Sequence, residues 1–220
     1  MKIRDLNELE EKIDADLAWR KKELTSIRID VSNSQEKGSS EQSKAIRIGI
    51  AMLYSHWEGA IKSIAEFYLV YVSGLHLKYS ELKTNFLAIA IKNDLNKFKD
   101  TKKATVHNEL IDNIYSKKDE TSKIPCANVI KTNSNLKMEV FKEIAATIGI
   151  DENPYILKGN IIDYTLLANR NKIAHGERFE QLEGISDVSE YMKLHTTVLD
   201  IIDQFACNVK EAAKNEEYRA

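Results

Sequence analysis

Proline is almost missing: two in 220 residues, beside only eight glycines. Breakers this rare, in a chain rich in Lys, Glu, Leu, Ile and Ala, favour helix nearly throughout. No βαβ alternation and no series of short strands is visible. Cysteine is scarcer relative to what it would have to do. Cys126 and Cys207 are the only two, too few for a disulfide framework or a four-cysteine zinc site. Two free thiols fit a reducing cytosol. Neither sign of charge dominates: 32 basic residues face 34 acidic ones, a formal net charge of -2. A basic coat for tight non-specific nucleic-acid binding is thereby excluded, although a local basic cleft is not. Long apolar runs are absent too, since charge interrupts each one well before the ~18 residues a membrane span needs. The opening MKIRDLNELEEKIDADL carries acids where a signal peptide needs an apolar core. These absences leave a cytoplasmic all-α protein with no membrane partner as the expectation.

The apolar residues that are present recur with a helical period. Leu6, Leu9, Ile13, Leu17, Leu24 and Ile27 mark one amphipathic helix over about 5–29. A polar loop at about 31–40 follows. The next helix, about 41–73, carries an apolar face broad enough to be packed on more than one side, so it is expected at the centre. Gly49 and Gly59 within it would admit close neighbours, and Gly74 would stop it. A third helix is expected from a Ser80 cap through Leu82, Phe86, Leu87, Ile91, Leu95 and Phe98. A short one around Val106, Leu110 and Ile114 follows, then an irregular stretch to Pro125. Ser134 is expected to cap a helix that Gly149 closes. A helix over about 158–174 ends at Gly176. The last begins at a capping pair, Asp187 and Glu190, and its charged tail, 211–220, is expected to fray. The whole of 1–220 reads as a single helical domain.

One stretch carries chemistry: Arg170-Asn171-Lys172-Ile173-Ala174-His175-Gly176. Arg170 and His175 lie about 140° apart around a helix, whereas Asn171 and His175 share a face. An arginine can clamp phosphate oxygens and stabilise the charge that develops in phosphoryl transfer. Histidine is the side chain suited to moving protons at neutral pH. Together they make a minimal kit for attack of a ribose 2′-hydroxyl on its own phosphate, with no metal and no cofactor. The same word also suits an ordinary helix end.

The helix ending LLANRNKIAHGE resembles the signature of the HEPN superfamily of helical nucleotide-binding domains: an Arg followed by a polar residue, then a His four to six residues on. Arg170, Asn171 and His175 match it. The segment Tyr54-Ser55-His56-Trp57-Glu58-Gly59-Ala60-Ile61-Lys62 is similar to the second-helix motif of the group named after the Microcystis MAE_28990 and MAE_18760 proteins. The stretch from Asn133 to Asp151 resembles that group's middle segment. The resemblance covers most of 41–177. It implies a HEPN-like bundle and a two-fold homodimer whose Arg and His residues converge on one composite cleft. It also implies metal-independent endoribonuclease activity on single-stranded or tRNA-loop RNA, in a toxin–antitoxin or antiphage setting with a cognate antitoxin or defence-system partner. Some members bind RNA, nucleotides or partners without cutting, and that alternative stays open beside a purely scaffolding role.

On this reading Arg170 and His175 are the catalytic candidates, supported by Asn171 and Glu58. Glu58 is expected to orient one of the pair or to form a structural ion pair. Arg47, Lys172 and His56 are candidate RNA contacts, with pairing to an acid as the alternative for Arg47 and a structural role as the leading alternative for His56. Asn133 and Asn135 are expected either to brace the loop beside the site or simply to serve its turn. His76, His107 and His195 show no metal-ligand spacing, and the aromatic stripe of the central helix reads as core.

Overall fold

The computed structural model describes residues 1–34, 39–99 and 101–220, without the side chains of 39 and 97–99. The architecture is all-α, with no strand among the described residues. None of the described helices is long and apolar enough to cross a membrane.

Three long helices make the frame: α1 (Leu6–Asn33), α2 (Ser39–Gly74) and α8 (Val188–Lys214), each packed on the other two. Asp5 caps α1 by accepting the Glu8 backbone N–H, and Leu9, Ile13, Leu17 and Leu24 form its buried stripe. The helix outlasts its expected end by a turn because Val31 is also buried and the Ser34 hydroxyl donates to the Val31 carbonyl. The expected loop at 31–40 therefore contracts from both sides, and residues 35–38 lie outside those described.

The central helix α2 buries Ile46, Leu53, Trp57, Ala60 and Ile64 completely. Its two internal glycines meet close neighbours. A Cβ at Gly49 would stand 2.7 Å from the Tyr191 ring on α8, and one at Gly59 would stand 2.6 Å from the Arg20 guanidinium on α1. Both partner helices thus approach α2 where it has no side chain.

Two expectations give way in the periphery. The third helix splits into α3 (Thr84–Ala90) and α4 (Lys92–Lys99), separated at Ile91. The halves bury against different neighbours, α3 on α6 (Met138–Ile148) and α4 on α5 (Ala104–Lys117). Ser80 lies in a single 3-10 turn and caps nothing, and the side chain of Phe98 is outside those described. The tail, expected to fray, is placed against the bundle. Ala212, Ala213 and Tyr218 are buried, and Tyr218 meets Tyr71 edge-on with ring centroids 6.1 Å apart. The Lys83 N–H donates to the Tyr218 carbonyl, and the Ala220 N–H to that of Glu81. One large apolar ring near the end of a charged segment is enough to dock it.

The remaining elements build the side of the bundle that carries the site. α6 (Met138–Ile148) ends at Gly149 in left-handed conformation, φ +76°. Phe141 from α6 packs between Trp57 (5.7 Å) and the rings of Tyr155 (4.9 Å) and Phe205 (5.3 Å). A helical run then leads through a π-helical segment, Ile161–Leu167, directly into α7 (Ala168–Ala174). Asp187 caps α8 through the Glu190 N–H, as its spacing predicts.

The frame also buries two histidines. His195 on α8 is 2% exposed, and neither ring nitrogen makes a well-formed hydrogen bond. Burial pushes its pKa below the usual 6.5; the Leu24 backbone opposes this and Arg28 adds to it. The unfolded chain therefore binds more protons than the folded one as pH falls past that value, so stability should decline on acidification. The urea midpoint should drop between about pH 7.5 and about pH 5.5, and His195→Leu should flatten the slope. An equal slope in the variant would remove His195 from that account.

Candidate functional site

On α2, Tyr54 and Glu58 lie one turn apart on the same face. The Tyr54 hydroxyl accepts the Leu136 N–H at 2.8 Å, and the Trp57 indole N–H donates to the Leu136 carbonyl at 3.1 Å. Both backbone polar groups of one loop residue are thus satisfied from a buried helix face. The loop before it turns tightly, with the Asn135 N–H donating to the Thr132 carbonyl at 3.0 Å. Its central residues, Asn133 and Ser134, are both left-handed, with φ 55° and 53°. Asn tolerates this conformation, whereas Ser incurs a cost of roughly 1 kcal/mol. The Ser134 carbonyl is consequently directed at Arg170. Ser134 does not cap α6 as its position suggests: Asp163, in the π-helical segment, accepts the Met138 N–H at 2.7 Å instead.

Arg170 is the hub. Its guanidinium donates to the Ser134 carbonyl at 2.9 Å and to the Asn171 side-chain oxygen at 2.8 Å. It stacks over the Tyr54 ring, 4.0 Å from the centroid. The Glu58 carboxylate stands 3.9 Å from it, at the outer limit of an ion pair. The tight contacts are therefore with neutral oxygens and an aromatic face, and the charge is aimed without being cancelled by a close bidentate carboxylate. With its side chain 25% exposed and only two of its five N–H groups committed to these bonds, Arg170 can still take an anion. Burial raises the Tyr54 hydroxyl to about 12, opposed by the Leu136 bond and reinforced by Glu58, so it remains a neutral support.

The π-helical segment positions this hub. A wider turn shifts the phase of every side chain after it, and here it buries Leu166, Leu167 and Asn169 while Arg170 faces α2. Asn169 is fully buried. Its amide donates to the Glu183 carbonyl at 2.8 Å and accepts the Glu183 N–H at 2.8 Å. Lys172 binds the same loop, at 2.8 Å to the Gln181 carbonyl and 2.7 Å to the Glu183 carboxylate. Lys172, expected as an RNA contact, is thus engaged in bracing the segment after the helix.

His175 occupies the C-cap of α7 and is exposed. Its backbone N–H closes on the Asn171 carbonyl at 3.0 Å, and Gly176 turns the chain away at φ +80°. Among the described residues its imidazole makes no hydrogen bond or ion pair within the protein. Asn171, on the face of His175 by spacing, orients Arg170 through its side chain.

His56 is not at the site. It is 3% exposed between α1 and α2, with Nε2 2.8 Å from the Glu23 carboxylate, poorly aligned for a hydrogen bond, and its ring 5.2 Å from Trp19. Burial lowers its pKa, with Glu23 opposing. Although beside Trp57 in sequence, it faces α1, in keeping with its structural reading. Arg47 lies two turns before Tyr54 on the same helix, and its Nε is buried with no hydrogen-bond partner.

Three participants are not evident from residue type: the Tyr54 ring, the Ser134 carbonyl and the Asn169 clamp. Tyr54 alone had a readable signal, its one-turn spacing from Glu58. No group of three His, Cys, Asp or Glu side chains among the described residues is placed to hold a metal ion. A family model described as MAE_28990/-like HEPN matches residues 9–218. No curated protein and no solved structure matches the chain.

Proposed function

Because the chain belongs to the MAE_28990-like HEPN family, whose domains point to an RNase or a nucleotide-binding module, we propose that it is a metal-independent endoribonuclease acting on single-stranded RNA, such as a tRNA loop. The observation that carries this reading is Arg170, held by Tyr54, Ser134 and Asn171 without a close carboxylate, at the end of the helix that presents an unengaged His175.

The chemistry follows from those groups. The 2′-oxygen attacks the adjacent phosphorus while an imidazole takes its proton; the bond from phosphorus to the 5′-oxygen breaks, and a protonated imidazole gives that oxygen its proton. Arg170 holds the non-bridging oxygens, whose charge grows in the transition state. The products are a 2′,3′-cyclic phosphate and a 5′-hydroxyl. One chain carries a single histidine at the site, so the second proton transfer is assigned to His175 of another copy in a homodimer with a composite cleft. Exposed apolar side chains on the segment before α7, Ile156 (44%), Leu157 (95%) and Tyr164 (66%), support such a contact. A growth-arresting toxin or antiphage effector, restrained by a cognate partner, is the cellular role this activity fits.

The test is to incubate the purified chain with RNA in EDTA and analyse the new ends. The expected result is cleavage leaving cyclic phosphate, with specific activity that rises with protein concentration and then levels off. RNA binding with no product would select the non-catalytic module instead. Cleavage only when a divalent ion is restored would overturn the mechanism.

A further inference from the structure

Three cations that take no part in the Arg170 cluster meet elsewhere on the surface. Lys44 and Arg47 come from the early turns of α2, and Arg178 comes from the turn after Gly176. With Ser40 and Ser43 they line an open hollow of ≈ 400 Å³. Among the described residues none of the three cations is in an ion pair, and the buried Nε of Arg47 has no hydrogen-bond acceptor. Glu180 is the one acid in the lining, which leaves a surplus of two positive charges (three cations against one carboxylate). That surplus stands on a chain whose net charge is -2. Like charges gathered from two separate elements repel one another unless an anion joins them.

The position of the hollow matters as much as its sign. Arg47 precedes Tyr54 by seven residues, two helical turns, so the two share a face of α2 roughly 10 Å apart along the axis. Tyr54 carries the Arg170 guanidinium. Arg178 follows His175 by three residues. The hollow therefore extends the site along both of the elements that form it, over a span a single strand crosses in a few nucleotides. Guanidinium, ammonium and hydroxyl donors in one place suit phosphate oxygens.

We propose that the Lys44–Arg47–Arg178 hollow is a second phosphate-binding subsite, which grips the backbone of a single-stranded RNA at a distance from the phosphate held by Arg170. The assignment of the scissile phosphate rests on the ribonuclease reading, whereas the grip on the strand does not require cleavage.

The experiment compares the full chain with the double variant Arg47→Gln/Arg178→Gln, and with Lys44→Gln as a second, milder change. Affinity for a labelled RNA dodecamer is read by fluorescence anisotropy across a salt series, and affinity for a dinucleotide by competition. The double variant should bind the dodecamer roughly tenfold to a hundredfold more weakly, with a log–log salt slope shallower by about 0.7 for each phosphate no longer neutralised. Lys44→Gln should shift both in the same direction by less. Dinucleotide affinity should not change. Unchanged dodecamer affinity and slope in both variants, equal losses on dinucleotide and dodecamer, or no RNA binding by the parent chain would each overturn the subsite. Strand binding that depends on these residues in a protein that never cleaves would uphold the subsite and reject the ribonuclease reading.

Discussion

Arg170→Ala should lower the rate of RNA cleavage by about a hundredfold to a thousandfold, the usual cost of removing one donor to a developing oxyanion. The reason lies in how Arg170 is held. Two of its donors are fixed on Ser134 and Asn171, and its flat face lies on Tyr54, so the guanidinium needs little reorganisation to receive a phosphate. Arg170→Lys keeps the charge but cannot span both acceptors or stack as a plane, and most of the loss should remain. His175→Ala should cost about a hundredfold to ten-thousandfold by removing the proton carrier. Neither change should unfold the protein: Arg170 is only partly buried, and His175 is exposed at a helix end. Melting curves close to wild type would separate loss of chemistry from loss of fold. Cleavage by both alanine variants at the wild-type rate would sink the assignment.

Trp57→Ala should be the most damaging single change to stability. The indole is fully buried, stacks on Phe141 and donates to the Leu136 carbonyl. Truncating a buried ring of this size costs about 3–5 kcal/mol, out of a total stability of about 5–15 kcal/mol. A fall in Tm of roughly 6–20 °C follows for a chain of this length. Trp57→Phe isolates the polar part. Much of the ring survives, but the Leu136 carbonyl loses its donor, at about 1–3 kcal/mol. Of the two hydrogen bonds that α2 makes to Leu136, only the one to the Tyr54 hydroxyl would then remain, so cleavage should fall by more than the modest loss of stability explains. A Trp57→Ala protein that melts with the wild type would show that α2 does not anchor this loop.

These variants trace where linear reading succeeds and where it fails. The caps at Gly149, Gly176 and Asp187 are legible because each depends on a few neighbouring residues. The two glycines of α2 announce close neighbours but not which ones, and the structure names Tyr191 and Arg20. Lys172 and His56 show the opposite case. Both are candidate RNA contacts in the sequence, His56 beside a structural alternative, yet one is tied to Glu183 and the other is enclosed beside Glu23 and Trp19. The π-helical segment before Arg170 left no recognisable pattern in the apolar spacing, although it sets which way that side chain faces.

The sequence by itself determined that the chain is helical, which helix is central, and that Arg170 and His175 end a helix of HEPN type. Period, cap chemistry and a short motif are local, and local rules carry them. Only the tertiary structure decided that Tyr54, Glu58 and the Ser134 carbonyl surround Arg170, that Asn169 and Lys172 secure the loop behind His175, and that the tail docks through Tyr218. Ser134 is already 36 residues from Arg170. Contacts across such separations depend on how whole helices pack, where close approach at a glycine or an added turn of π-helix re-aims every side chain beyond it.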